Sequence, residues 1–420
     1  MLETSGSGPR LRGRGRGSVL THLVMAVLGA ALAAGLVLTL YTPAGSSASP
    51  LPGIGAVPAP PASAAPLAKG QKAIVTKVKP GLVIIRTLLQ YHSEAAAGTG
   101  MVINADGLVL TNNHVIDDST RITATVSATG RTYLARVVGY DRTGDVALIQ
   151  LQHASGLATV PIGNSSSVTV GESVVGMGNA EGQGVIRPTA GRITGLHQAI
   201  TASDQGGSAS SETLHGMIQT NADIVPGDSG GPLASPAGVI GMDTAGNNVS
   251  SDQQASATGF AIPINTALSV ARQIAAGHAS STIAIGYPPF VGIFVAAGSS
   301  SSPQRQAQQQ EQQQNGSSGG SGSTPRCYTS NADLTVPPKI APARSGALID
   351  GTICGSPAAS AGMTGGAVIT AVNGRAVGSP DDLTRNLARF RPDDTISVSW
   401  VSPSGLRTTS SLRLTAGPPQ

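Results

Sequence analysis

Ser229 lies in Gly227-Asp-Ser-Gly-Gly-Pro-Leu233, a setting in which a serine could act as a nucleophile. A serine hydroxyl attacks poorly unless a base takes its proton and donors stabilise the oxyanion that forms. Flanking glycines let the backbone turn its N–H groups toward that charge. The base should be a histidine. Among seven histidines, His114 in Leu110-Thr-Asn-Asn-His-Val-Ile116 follows an apolar run at the start of a loop, where its ring can face a cleft. The third group must be a carboxylate that fixes the imidazole tautomer and stabilises its protonated form. In Asp141-Arg-Thr-Gly-Asp-Val-Ala-Leu-Ile149, Asp145 leads directly into an apolar run and can be buried against the ring, whereas Asp141 suits a turn.

Residues so far apart in sequence need a rigid scaffold, and the pattern between them is one of short strands. Apolar runs at 81–85, 101–103, 108–110, 146–149 and 174–175 are separated by Gly, Asn and Asp, the spacing of a β-barrel or sandwich. The composition agrees: Gly (55) and Pro (28) are plentiful and charged residues make up only 11%, which favours turns and strands over long helices. From Asn265 to Gly277 the spacing of Leu268, Ala271 and Ile274 predicts a short helix, with Asn265 as its cap and Gly277 as its stop.

The outer parts of the chain are of other kinds. Residues 1–17 hold Arg10, Arg12, Arg14 and Arg16 against Glu3, and residues 18–40 carry no acidic or basic side chain except His22. Such a stretch is long enough to span a bilayer, and the positive-inside rule would leave all that follows outside the cytoplasm. A cleaved secretory signal, with Ser46–Ser49 near its cleavage site, is the alternative. Residues 41–66, rich in Pro, Ala, Gly and Ser, read as an extended tether. Beyond the basic tail the charges nearly cancel and aromatic residues are 3% of the chain, so nucleic acid is not an expected partner. Cys327 and Cys354 are the two cysteines. They can form a disulfide in an oxidising compartment or remain free thiols, and without a histidine cluster they make a poor metal site.

The order His114, Asp145, Ser229 matches that of the chymotrypsin fold. Together with Thr111–Ile116, Asp145–Ile149, Pro226–Leu233 and Thr258–Ile264, it resembles the HtrA-type (DegP-like) serine proteases. Residues 139–143, 176–179 and Asp228 are most similar to the actinobacterial PepA-like members. The resemblance implies a mainly β fold: a chymotrypsin-like double β-barrel over residues 67–265, a linker helix over 266–286, and a PDZ-like α+β domain over 287–415 with a low-complexity insert at 298–345. It makes Ser229 the nucleophile, His114 the base and Asp145 the orienting carboxylate. The turn Gly227-Asp228-Ser229 would form the oxyanion hole, chiefly through the N–H groups of Gly227 and Ser229. Thr244, Ala245 and Gly246 would pair with an extended substrate. Two departures stand out. Asp228 replaces the Asn common in that group, and Asp223, six residues before Ser229, stands where trypsin-like enzymes put the acid that selects basic P1 side chains.

Phe290, Val291, Gly292 and Ile293 resemble the carboxylate-binding loop of a PDZ domain, and residues 355–362 and 367–374 resemble its core. The expected function is therefore endoproteolysis of unfolded or damaged extracytoplasmic polypeptides, with no cofactor or metal and with peptide C-termini as partners. The resemblance also implies homotrimers, a state that no feature of the sequence by itself demands. A PDZ-dependent chaperone with latent proteolysis is the alternative. An α/β-hydrolase, suggested by the Gly-x-Ser-x-Gly pattern, would need its histidine last, and only His278 follows Ser229.

Overall fold

The computed structural model describes residues 66–92, 94–203, 211–244, 258–296, 300–313, 326–334 and 337–419. The basic tail, the expected membrane span 18–40 and nearly all of the tether lie outside them. Among the described residues no helix is long and apolar enough to cross a membrane. The described chain is mainly β.

After α1 (Lys69–Val78), six strands follow: β1 (Leu82–Leu89), β2 (Glu94–Val102), β3 (Leu108–Thr111), β4 (Arg121–Val126), β5 (Thr132–Asp141) and β6 (Val146–Leu151). Their order is β5-β4-β1-β2-β3-β6, and β5 also pairs with β6, so the sheet closes into a barrel. The period-two rule explains the closure. In β4, Ile122, Ala124 and Val126 turn inward while Arg121 faces out. Val83, Ile85, Val109 and Ile149 fill the interior. Their neighbours Leu82, Ile84, Leu110 and Leu148 are buried on the other face, against the second half of the molecule. Burial on both faces is why the runs at 81–85 and 146–149 are apolar without alternation.

A second closed barrel is formed by β7 (Ser173–Gly178), β8 (Arg187–Ser203), β9 (Ser211–Thr220), β10 (Pro232–Ser235), β11 (Gly238–Thr244) and β12 (Gly259–Pro263). Val174, Ile193, Ile218, Leu233 and Ile240 occupy its interior. Between the barrels lies the largest apolar cluster, to which α1 contributes Ile74 and Val78. Each such side chain withdrawn from water contributes about 1.5–3 kcal/mol, so the seam between the barrels is rigid.

The helix α2 (Ile264–Ala275) buries Ile264, Ala267, Ala271 and Ile274 at helical spacing. Pro263 takes the cap position, not Asn265. The Asn265 Nδ2 instead donates to Asn164 Oδ1 at 2.7 Å and Ser166 Oγ at 3.0 Å. β13 (Ile283–Ile285) then pairs with β5, so the stretch expected to link two domains packs as part of the two-barrel body.

The remainder is an α+β body. β14 (Pro289–Phe290) is followed by β15 (Ile293–Val295), α3 (Pro303–Gln313), β16 (Ala347–Thr352), α4 (Pro357–Ser360), β17 (Val368–Val372), β18 (Arg375–Ala376), α5 (Pro380–Leu387), β19 (Thr395–Val401), β20 (Arg407–Arg413) and β21 (Thr415–Ala416). The sheet runs β15-β16-β17-β19-β20, over a core that includes Ile349, Leu383, Ile396 and Trp400. Ser356 and Ser379 cap α4 and α5 through their hydroxyls. The low-complexity insert, whose Ser-, Gln- and Gly-rich residues 298–326 read from composition as a flexible loop or linker, contains α3. It is anchored because Gln306, fully buried, donates to the Gly346 carbonyl and accepts from the Leu348 N–H, both at 2.9 Å. Cys327 and Cys354 are joined in a disulfide. Phe290 stacks on Tyr91 with ring centroids 5.6 Å apart, and the Asp118 N–H donates to the Pro419 carbonyl at 2.8 Å.

Candidate active site

His114 follows β3 and Asp145 precedes β6, and these two strands are paired in the first barrel. That pairing brings the ring to the carboxylate: His114 Nδ1 lies 2.9 Å from Asp145 Oδ2 and 3.1 Å from Oδ1. The His114 N–H also donates to Asp145 Oδ1 at 3.1 Å. With Asp145 accepting, Nδ1 holds the proton and Nε2 keeps its lone pair. Asp145 is 4% exposed and has φ +50°. The Asn112 Nδ2 grips its carbonyl at 2.9 Å. Asp141 has the turn role expected of it, accepting from Thr143 Oγ1 and the Gly144 N–H.

The serine comes from the second barrel. Ser229 is 7% exposed, in a turn where Gly227 and Gly230 have φ +95° and +82°. A Cβ at Gly230 would fall 2.1 Å from the Thr99 carbonyl, and one at Gly227 would fall 2.3 Å from the Asn179 carbonyl, so both positions require glycine. Strand β2 binds this turn to the histidine segment. The Thr99 N–H donates to the Ser229 carbonyl at 2.9 Å, Thr99 Oγ1 donates to the Gly227 carbonyl at 2.8 Å, and Thr111 Oγ1 donates to the Thr99 carbonyl at 2.7 Å. A further link crosses the barrels: Thr244 Oγ1 donates to Asp145 Oδ2 at 2.8 Å. Thr244, expected as a substrate-pairing edge, is thus first of all a donor to the buried carboxylate. Ala245 and Gly246 lie outside the described residues.

Of the three residues expected to form the oxyanion hole, Asp228 has its N–H committed to the Val225 carbonyl at 3.0 Å. The N–H groups of Gly227 and Ser229 donate to no carbonyl among the described residues, which leaves them for an oxyanion. The Asp228 side chain packs against Gly178. Its Oδ2 accepts from the Val225 N–H at 3.1 Å, while Oδ1 is buried without a partner among the described residues. Burial raises its pKa to about 7, and Asp223 and Glu181 add to the rise. Asp243 of β11 is fully buried with both oxygens unpartnered among the described residues, and burial, reinforced by Asp228, holds its pKa well above the usual range. Asp223 is exposed, because in this extended stretch Ala222 and Ile224 take the inward positions.

The C-terminal residues expected to bind a carboxylate are spread over different tasks. Phe290 pairs with Thr415 and stacks on Tyr91, Val291 is core, and Gly292 with φ +79° receives a hydrogen bond from Ser356 Oγ. Ile293 pairs with Thr352 in the edge strand β15.

Two antiparallel barrels, one offering an imidazole on a buried carboxylate and the other a serine in a glycine-held turn, define the class of trypsin-like serine peptidases. The trypsin-like peptidase domain matches residues 98–242. Among curated proteins, the chain is 29% identical to the serine protease PepD of Mycobacterium tuberculosis over 93% of this chain and 75% of that protein. It is 31% identical to a probable periplasmic HhoA-like serine protease of Haemophilus influenzae, over 72% of this chain and 55% of that one. Identity to the periplasmic serine endoprotease DegP of Escherichia coli is 35%, over 44% of this chain and 37% of that one. The chain thus spans three quarters of the first relative but little more than half, or less, of the other two. A solved structure of the HtrA-type protease AlgW with tripeptide aligns at 25% identity with a TM-score of 0.42, covering 83% of this chain and 98% of that one. The chain carries a trypsin-like serine peptidase domain and is similar to HtrA-type serine proteases.

Proposed function

We propose that the protein is an endopeptidase acting on unfolded or damaged polypeptides outside the cytoplasm, through an acyl-enzyme on Ser229. His114 Nε2 takes the proton of the Ser229 hydroxyl as its oxygen attacks the scissile carbonyl, and the N–H groups of Gly227 and Ser229 receive the oxyanion. The imidazolium passes its proton to the departing amine. A water then attacks the ester, losing a proton to His114, which hands it to Ser229 Oγ as the ester bond breaks and the acid departs. Asp145 stabilises the imidazolium and fixes its orientation throughout.

The supporting observation is the hydrogen-bonded path from His114 through Asp145 to Thr244, which ties the base in one barrel to the strand beside the nucleophile turn in the other. Residues 18–40 would hold the chain to a membrane as a single-pass anchor, or be removed as a signal. Residues 287–415 would act as a PDZ-like domain for peptide C-termini, and homotrimers are the assembly that the family resemblance favours. The test is covalent labelling by a fluorophosphonate. The intact chain should be labelled and Ser229→Ala should not; label retained by the variant would refute the assignment of the nucleophile. Asp228 Oδ1, buried inside the turn with no partner among the described residues, favours a second, latent state, in which the protein holds clients without cutting them. Casein cleavage measured beside peptide pulldown separates the two, since capture without cleavage would mark the holding state.

A further inference from the structure

A cavity of about 760 Å³ opens beside Gly227 on the outer face of the first barrel. Its floor follows from strand register. Arg86 of β1 stands opposite Ala97 of β2 and Thr123 of β4; two residues on, Leu88 stands opposite Ala95 and Arg121. Residues directly opposed in antiparallel strands share a face, and so do positions two apart on one strand. All six side chains therefore project from the same side of the sheet. The two alanines are short, so a trough runs along β2 between the longer side chains, and Pro226 and Gly227 form part of its wall.

The trough lies on a particular side of the nucleophile. One flank of the serine turn is bonded to β11, where the Gly230 N–H donates to the Asp243 carbonyl at 2.9 Å. The other is bonded to β2, where the Thr99 N–H donates to the Ser229 carbonyl at 2.9 Å. A substrate whose acyl half lies along the end of β11 carries its leaving half over the β2 side, into the trough. There it meets two cations. Arg86 and Arg121 are exposed, and neither guanidinium has a hydrogen-bond or ion-pair partner among the described residues. Glu181, the acid at the rim, already accepts from Gln183 Nε2 at 2.8 Å. Leu88, 49% exposed, supplies an apolar floor between the two arginines.

We infer that this trough holds the leaving half of the substrate, and that Arg86 and Arg121 select a carboxylate side chain within the first few residues after the scissile bond. This rests on the proposed peptidase reading, and the test is arranged to separate the two. Internally quenched peptides would differ only in carrying Glu, Gln or Lys at the second and third positions after the cut. The intact chain should cleave the Glu peptide with a kcat/KM roughly tenfold above the Lys peptide at low salt, and the gap should shrink as salt is added. Arg86→Gln with Arg121→Gln should erase the ranking, and Arg86→Glu with Arg121→Glu should invert it. Binding of the corresponding leaving-half peptides to Ser229→Ala, read by fluorescence anisotropy, should follow the same order without any turnover. Equal handling of Glu and Lys peptides, or a preference that survives both substitutions, would overturn the inference. Fluorophosphonate labelling of the same samples tells the failures apart. A labelled enzyme without charge preference sinks the subsite alone. An unlabelled enzyme sinks the peptidase reading, and the anisotropy series still decides what the trough binds.

Discussion

Asp145 and the pair Asp228 and Asp243 are all buried close to Ser229, yet their surroundings are opposite. Asp145, at the rim of the first barrel, meets three donors: the His114 N–H, the imidazole Nδ1 and the Thr244 hydroxyl. In the second barrel, Asp228 has one backbone donor on Oδ2, while among the described residues its Oδ1 and both oxygens of Asp243 have none within hydrogen-bond geometry. A buried carboxylate surrounded by donors can stay charged, and one without them is driven to keep its proton. The base side of the site is thus built to bear charge at rest, and the nucleophile side is built to avoid it.

The largest way to break this contrast is Asp145→Asn. The amide oxygen can serve the His114 N–H, which puts the NH₂ against Nδ1, where it donates and forces the imidazole proton onto Nε2. The ring then cannot accept from Ser229, and kcat should fall about 10⁴-fold, the size known for this change in the serine-protease triad. Steady-state peptide hydrolysis checks it, and a loss below tenfold would mean that Asp145 does not set the tautomer.

Asp228→Asn probes the opposite side, through stability. The native carboxyl keeps its proton to about pH 7, whereas an ordinary one loses it near 3.8. Between those values the native state binds more protons than the unfolded chain, so stability falls as pH rises, and the penalty is complete above about pH 7. Asparagine cannot ionise. The variant should lose this slope and exceed the parent by about 2–4 kcal/mol at pH 8, while matching it near pH 4. Urea unfolding at the two pH values measures both. A parent whose stability is flat across this window would show that Oδ1 has a partner after all.

What could be read beforehand followed the same divide. His114, Asp145 and Ser229 each sit in a local string whose glycines, strand residues and order betray their setting, and the barrels follow from apolar runs buried on two faces. Thr244 could not be found as a donor to Asp145, because 99 residues separate them and only closure of the second barrel beside the first brings them together. The orientation of Asp223 was hidden for a similar reason: its distance from Ser229 fits a specificity acid, but which way it points is set by the extended path that buries Ala222 and Ile224. The Gln-rich insert looked unstructured since nothing in its composition reveals that Gln306 can replace a strand partner for Gly346 and Leu348. In the turn expected to form the oxyanion hole, the string Gly-Asp-Ser names the segment but not which N–H the turn itself consumes.

A smaller effect is expected from Thr244→Val, which keeps shape and removes one of the three donors to Asp145. A hydrogen bond to a charged group contributes about 1.5–3 kcal/mol, so kcat/KM should drop by roughly 10- to 100-fold with little change in the thermal midpoint. An unchanged kcat/KM would leave the link across the barrels without a catalytic role.

Asp243→Asn extends the comparison within the second barrel, and it is read by the sign of the change. Burial, reinforced by Asp228, holds this carboxyl well above the usual range, so the unfolded chain releases the proton at a lower pH than the native state does. The parent therefore loses stability as pH rises above the ordinary carboxylate range. Asparagine cannot ionise in either state, so the variant should lose that slope and be the more stable protein at pH 7, as at Asp228. Urea unfolding at pH 4 and pH 7 measures the sign, and a variant less stable than the parent at pH 7 would mean that Asp243 is ionised at rest and that the nucleophile side does carry charge.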